Sequence, residues 1–241
     1  MSEPILRMDK VAKSFGGLRA VDGASFDINP GEIVGLIGPN GAGKTTVFNL
    51  ISGYFAPSEG SIFFKGQKIN GQQPYQMAKK GIGRTFQVVK PFPGLTVLEN
   101  VVIAALCKHH RRADAEKHAW ELLEFTGLAD RAEQSAASLT LPGRKRLEIS
   151  KALALDPELL LLDEVVAGLN PTEADQTIQL ILKIRDQGIS ILIVEHIMRV
   201  IMNISDNLVV LNFGSMIATG KPAEIVKNEQ VIQAYLGKEE S

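Results

Sequence analysis

The chain has 241 residues, long enough for one large domain with a buried core, and 45% hydrophobic and 22% charged residues are ordinary for a soluble globular protein. A net charge of −1 excludes the global basic field that would draw a protein to nucleic acid or acidic lipid. The single cysteine excludes an internal disulfide framework and fits a reducing compartment. That residue, Cys107, follows the apolar run 101–106 and reads as a small core residue. The polar start has no signal-peptide pattern, and no apolar stretch approaches the ~20 residues a membrane span needs. Work at a membrane is therefore expected to go through a partner.

In chain order, residues 5–11 read as a strand, 13–17 as a loop bearing the aromatic Phe15, and 24–28 as a second strand closed by the Asn29-Pro30-Gly31 turn. Residues 32–37 form an apolar run of strand length. Directly after it stands Gly38-Pro39-Asn40-Gly41-Ala42-Gly43-Lys44-Thr45, which fits the phosphate-binding loop pattern. Thr46 and the apolar residues after it have helical spacing up to Gly53. Strand, glycine loop and helix are the context that gives the motif meaning. Glycines let the backbone approach a polyphosphate, and the helix offers its positive end to the same anion. Lys44 is expected to reach the β- and γ-phosphates, and the Thr45 hydroxyl to ligate Mg²⁺.

Residues 61–64 are strand-like, 74–80 a short helix with Pro74 in its first turn, and 82–87 a strand ending at Gln87. Thr96 and Glu99 form a capping-box pattern, and a further helix spans about 112–126. Between them, His109-His110-Arg111-Arg112 reads as a solvated turn, because no acidic or cysteine ligand accompanies it. Residues 88–155 hold helices and no convincing strand, which suggests a helical lobe inserted into an α/β unit.

Leu159 to Leu162 form a continuous apolar run that suits a strand buried on both faces, and it ends in Asp163-Glu164. Open α/β sheets bind ligands at that end of their strands. Asp163 is expected to hold Mg²⁺ and Glu164 to polarise an attacking water. Pro171 opens a long amphipathic helix to about residue 186. Residues 189–194 form the next core strand, whose tip carries Glu195-His196, with His196 placed to contact a γ-phosphate. A hairpin around Gly214 and short helices near 223–226 and 230–235 complete the pattern. Phe15 offers an aromatic face on which a nucleobase can stack.

These residues together resemble the nucleotide-binding subunit of ATP-binding cassette (ABC) transporters over essentially the whole chain. Gly38 to Thr45 looks like Walker A, Leu159 to Asp163 like Walker B with the catalytic Glu164 after it, and Ala167-Gly168-Leu169-Asn170 like the D-loop. Gln87 sits at the Q-loop glutamine position and His196 at the switch histidine. Phe15 lies near the adenine-stacking aromatic. Arg84-Thr85-Phe86-Gln87 and Val194-Glu195-His196 look like subunits of branched-chain amino acid importers.

The resemblance implies an α/β fold: a P-loop NTPase core with a mostly parallel sheet, an N-terminal antiparallel β subdomain and an inserted helical subdomain. It implies one ABC domain over 1–241, with 1–87 and 156–241 as the core and 88–155 as the helical lobe. ATP and Mg²⁺ are the implied cofactors. Gly38, Pro39, Asn40, Gly41, Ala42, Gly43, Lys44, Thr45, Thr46 and Phe15 are the implied nucleotide contacts. Glu164, His196 and Gln87 form the catalytic set, and Thr45, Gln87 and Asp163 the metal set. The implied partners are membrane permease subunits, a second ATP-binding subunit and, indirectly, a substrate-binding protein, with the chain peripheral on the cytoplasmic face of the inner or plasma membrane. No nucleic acid is expected.

The sequence departs from the family at its signature, Leu-Ser-Gly-Gly-Gln, which falls on Leu139-Thr140-Leu141-Pro142-Gly143. Thr140 keeps the hydroxyl, and Thr140 and Gly143 remain available to the partner's nucleotide. Leu141 and Pro142 replace the glycines. A heterodimer with a non-identical ATPase subunit is therefore expected. The alternatives are an ABC ATPase for another cargo such as urea or lipopolysaccharide, a soluble ABC ATPase of DNA repair or translation, and a different phosphate-loop enzyme. The single compact cassette argues against the repair and translation proteins. The set Gln87, Glu164 and His196 argues against a kinase or GTPase.

Overall fold

The computed structural model describes residues 3–85, 91–92 and 94–236. Its strands are β1 (Leu6–Phe15), β2 (Leu18–Ile28), β3 (Ile33–Ile37), β4 (Glu59–Phe64), β5 (Gln67–Lys68), β6 (Ile82–Arg84), β7 (Leu159–Asp163), β8 (Ser190–Val194), β9 (Asn207–Asn212) and β10 (Ser215–Gly220). Its helices are α1 (Lys44–Ile51), α2 (Pro74–Lys80), α3 (Val97–Ala105), α4 (Arg112–Thr126), α5 (Leu141–Leu153), α6 (Pro171–Asp186), α7 (Met198–Ile204), α8 (Pro222–Ile225) and α9 (Glu229–Leu236).

Among the described residues the strands form one sheet in the order β5-β4-β1-β2-β10-β9-β3-β8-β7-β6. β9, β3, β8, β7 and β6 pair in parallel, while β1, β2, β4 and β5 pair antiparallel. This is the expected α/β core with an antiparallel N-terminal part.

The apolar runs explain the parallel half. Successive side chains of a strand point to opposite faces, so a strand covered on both sides must be apolar throughout. In β7, Leu159 and Leu161 enter one core with Phe48, Leu192 and Val194. Leu160 and Leu162 enter the opposite core with Ile181, Ile184, Ile191 and Ile193. All four leucines are fully buried, and each contributes about 1.5–3 kcal/mol by that burial.

A third core, with Val101, Leu123 and Leu147 at its centre, holds α3, α4 and α5 together. The expected cap of α3 is present: Thr96 Oγ1 accepts from the Glu99 N–H at 3.1 Å, and the Glu99 carboxylate accepts from the Thr96 N–H at 2.8 Å.

Some expectations are corrected. Residues 13–15 lie within β1, and β2 begins at Leu18 rather than at 24. The β1–β2 register shifts repeatedly and Lys10 has φ 47°, so bulges disturb the alternation that would have revealed the longer strands. β6 ends at Arg84, and Gln87 lies outside the described residues. Helix α7 has no counterpart among the expected elements; its Val200, Ile201 and Ile204 pack on the sheet. Cys107 is exposed rather than buried, and lies beyond the end of α3 at Ala105. Among the described residues no helix is long and apolar enough to cross a membrane.

Candidate nucleotide site

β3 delivers the chain to the phosphate loop, and α1 leaves it with Gly43 as its N-cap at φ 104°. A Cβ at Gly43 would lie 2.6 Å from the Ala20 carbonyl oxygen, and one at Gly38 would lie 2.1 Å from that of Leu211. Both glycines are required by close backbone approach as well as by φ. Lys44 is 7% exposed, and its Nζ donates to the carbonyl oxygens of Gly38 at 2.6 Å and Pro39 at 3.0 Å. The ammonium is thus held at the centre of the loop.

The loop opens on a cleft of about 350 Å³. Asn40 to Thr46 form its floor, Glu164 and His196 one wall, and Leu18, Arg19, Ala20 and Phe213 the other. A larger cleft of about 630 Å³ lies elsewhere, beside Arg7, Asp9, Asp27 and Glu32. Its carboxylates and lack of a glycine loop make it a poor polyphosphate site.

β7 and β8 are adjacent, with Asp163 level with Val194, so their tips bring the remaining groups together. Glu164 has φ 51°, and its N–H donates to the Val194 carbonyl at 2.9 Å. Its Oε1 lies 2.7 Å from His196 Nε2. A carboxylate only accepts, so His196 carries its proton on Nε2. Asp163 is 7% exposed; its N–H donates to Thr85 Oγ1 at 3.1 Å, and its Oδ2 lies 3.6 Å from Arg84 Nη2. Burial raises the Asp163 pKa above the usual carboxylate range, and the Arg84 guanidinium partly opposes that rise. The Thr45 hydroxyl on the exposed rim of the loop and the Asp163 carboxylate are hard oxygen donors, the chemistry Mg²⁺ prefers, so the residues present fit that ion.

Three supporting residues have no role assigned by the motif pattern. Arg84, at the end of β6, donates to Asn49 Oδ1 at 2.7 Å and Ser52 Oγ at 2.8 Å, which ties α1 to Asp163. Lys145 on α5 donates to the Glu164 carbonyl oxygen at 2.6 Å. Glu195 is 3% exposed and accepts from the Val166 N–H at 2.8 Å. Burial pushes the Glu195 pKa up to about 7, against the lowering effect of that hydrogen bond and of Lys145. The one legible signal for Glu195 was an acidic residue at the tip of a second buried strand.

The other expected contacts are placed as follows. Phe15 does not line the cleft; its ring stands edge-on to Phe55 at 5.0 Å and under Lys13. Thr140 caps α5 without a side-chain hydrogen bond, Pro142 sits in the first turn, and Leu141 is 44% exposed. Neither Thr140 nor Gly143 lines this chain's own cleft.

Residues 21–167 match the ABC transporter family, and residues 215–241 match the family of branched-chain amino acid ATP-binding cassette transporters. The chain is 41% identical over 254 aligned positions to the high-affinity branched-chain amino acid transport ATP-binding protein LivG of Escherichia coli K12, covering 99% of this chain and 100% of that protein. Its fold matches a nucleotide-free ATP-binding cassette from an ABC transporter with a TM-score of 0.90 at 30% identity, over 98% of this chain and 100% of the other. It also matches a dimeric cassette bound to ADP and Pi, with a TM-score of 0.81 at 26% identity, over 90% and 98%. With the phosphate loop, the paired strand tips and these likenesses in agreement, the chain belongs to the ABC transporter family as an ATP-binding subunit.

Proposed function

We propose that this subunit hydrolyses ATP to drive import of branched-chain, hydrophobic amino acids through a membrane permease. The observation that carries the chemistry is Glu164 held 2.7 Å from His196 on the wall of the phosphate-loop cleft. The cargo assignment is supported by the name of the E. coli relative and by the match of the C-terminal segment.

In this reading the loop N–H groups and Lys44 bind the β- and γ-phosphates. Glu164 takes a proton from the attacking water as its oxygen bonds to the γ-phosphorus, and ADP leaves as the bridging bond breaks. His196 holds the Glu164 carboxylate through Nε2–H and stands at the γ-phosphate position. Thr45, Asp163 and Gln87 would hold Mg²⁺, which would supply charge neutralisation on the phosphates. Residues 1–87 and 156–241 act as the catalytic core, and 88–155 as the lobe that, with the Gln87 segment, passes motion to the permease. The subunit works peripherally on the cytoplasmic face, and a substrate-binding protein enters through the permease.

A second ATP-binding subunit completes the machine, with each nucleotide between one Walker A loop and the other subunit's signature helix. Thr140 and Gly143 then serve the partner's nucleotide. Pro142 has no N–H and Leu141 is bulky, so that partner site is the weaker one and a non-identical partner is favoured.

The test is expression of this subunit with and without its permease and second ATPase. The subunit should sediment with membranes only in the assembled complex, and ATP-dependent uptake into vesicles should follow leucine, isoleucine or valine. Uptake of urea instead, or stable binding of the lone subunit to protein-free liposomes, overturns the reading.

A further inference from the structure

The turn His109-His110, solvated by sequence logic, meets ligands from distant parts of the chain. His109 follows α3, His118 lies on α4, and Asp156 lies in the connection from α5 to β7. His118 Nε2 is 3.1 Å from Asp156 Oδ1, and His109 Nε2 is 3.8 Å from Asp156 Oδ2. The two imidazole centroids are 4.7 Å apart. One donor atom from each of the three residues falls within 4.8 Å of the others. Both Nε2 atoms are buried from solvent, yet neither makes a hydrogen bond. Buried imidazole nitrogens are normally paired, so two facing one carboxylate without such a bond need another explanation.

The geometry points to a site for a late first-row divalent cation, Zn²⁺ by chemistry, held by His109 Nε2, His118 Nε2 and the Asp156 carboxylate with water as the fourth ligand. Tetrahedral Zn²⁺ takes nitrogen and oxygen ligands at roughly 2.0–2.2 Å, which places neighbouring ligand atoms about 3.4 Å apart. The 3.1 and 3.8 Å contacts run to the two oxygens of one carboxylate, and with all three donors within 4.8 Å of one another a small contraction brings them to that spacing. Two imidazoles with one carboxylate suit zinc, and are too nitrogen-rich for Mg²⁺ or Ca²⁺. On the far side of the His118 ring, Nδ1 lies 4.0 Å from Glu121 Oε2. At that distance the carboxylate is a charged neighbour of the ring and not a hydrogen-bond acceptor. The site is separate from the nucleotide cleft. It joins the turn after α3 and the middle of α4 to the connection that leads into the strand bearing Asp163. A bound ion would therefore pin the lobe to the catalytic strand.

The experiment uses the full chain without a histidine tag or nucleotide. Zn²⁺ titration by calorimetry should show one saturable site, and Co²⁺ should give the intense visible absorption of a low-symmetry four-coordinate centre. Asp156→Asn keeps the shape, and asparagine tolerates the left-handed backbone found at this position (φ 46°). Asp156→Asn and His118→Gln should each weaken Zn²⁺ by about 10-fold or more, since even outer-shell changes cost 10–100-fold. Both variants should lose the Zn²⁺-dependent rise in Tm while still binding a fluorescent ATP analogue, which shows that they fold. Cys107→Ser and His110→Ala should bind Zn²⁺ like the parent. The proposal is overturned if the parent binds no Zn²⁺, if Asp156→Asn and His118→Gln bind it undiminished, or if the Cys107 or His110 variant abolishes binding.

Discussion

Glu164 and His196 meet through a 2.7 Å contact although 32 residues separate them, because β7 and β8 run parallel and end at the same level. The contact fixes the carboxylate on the wall of the phosphate-loop cleft. Glu164→Gln preserves the shape and loses the base. ATP turnover should fall ~10²-fold or more, the scale of general-base removal, while ATP binding persists. The variant should also dimerise more with ATP than with ADP. Parental turnover in steady-state phosphate release would remove Glu164 from its role.

Lys44 is buried with its ammonium on two loop carbonyls. Lys44→Ala removes the point charge for the β- and γ-phosphates and should weaken Mg-ATP binding about tenfold or more, at least 1.4 kcal/mol of charge-assisted bonding. Fluorescent-nucleotide titration measures it, and unchanged affinity would contradict the assignment.

The buried pair of Arg84 and Asp163 is held against α1 by two further Arg84 hydrogen bonds. Arg84→Met leaves a buried carboxylate unpaired and should cost about 3–5 kcal/mol of stability if Asp163 stays charged. Asp163 then shifts further upward, and half-maximal ATPase should need more Mg²⁺ and a higher pH than in the parent. A Mg²⁺ dependence identical to the parent's would show that Arg84 does not tune Asp163.

Glu195 has a pKa of about 7 in the folded chain, above its value in an unfolded one. Between about pH 4.5 and pH 7 the folded state binds the extra proton, so stability falls as pH rises through that window. The penalty is absent below it and complete above it, at roughly 3 kcal/mol for an upward shift of this size. Glu195→Gln can still accept from the Val166 N–H. The loss of stability from pH 5 to pH 8, measured by urea midpoints, should therefore be smaller in the variant. An equal loss in both proteins would place the titration elsewhere.

At the signature, Leu141 also touches the D-loop: a Cβ on Gly168 would lie 3.1 Å from Leu141 Cδ2. In the assembled transporter, Leu141→Gly with Pro142→Gly should raise turnover at the partner's Walker A site severalfold, at some cost in α5 stability. If disabling the partner's catalytic glutamate instead abolishes all hydrolysis while Glu164→Gln here has no effect, the asymmetry runs the other way.

Much of this was local enough to read in the chain. The phosphate loop, the cap at Thr96, the helix start at Pro171, and the runs at β7 and β8 follow from backbone sterics and burial periodicity, which act over a few residues. The span of β1 and β2 was hidden by bulges, and helix α7 by its short apolar pattern after His196.

By itself the sequence determined the phosphate-loop chemistry, the acidic and histidine strand tips, and the departure at Leu141-Pro142. Each depends on residue type and near-neighbour spacing. The tertiary structure alone decided which distant groups share a low-dielectric space. It brought Arg84 to Asp163, and Lys145 to the Glu164 carbonyl. It buried Glu195 and set Asp156 against His109 and His118. Strand order and helix packing fix these pairings, and no local pattern encodes them, because the energy of a buried charge depends on neighbours that the fold supplies from far along the chain.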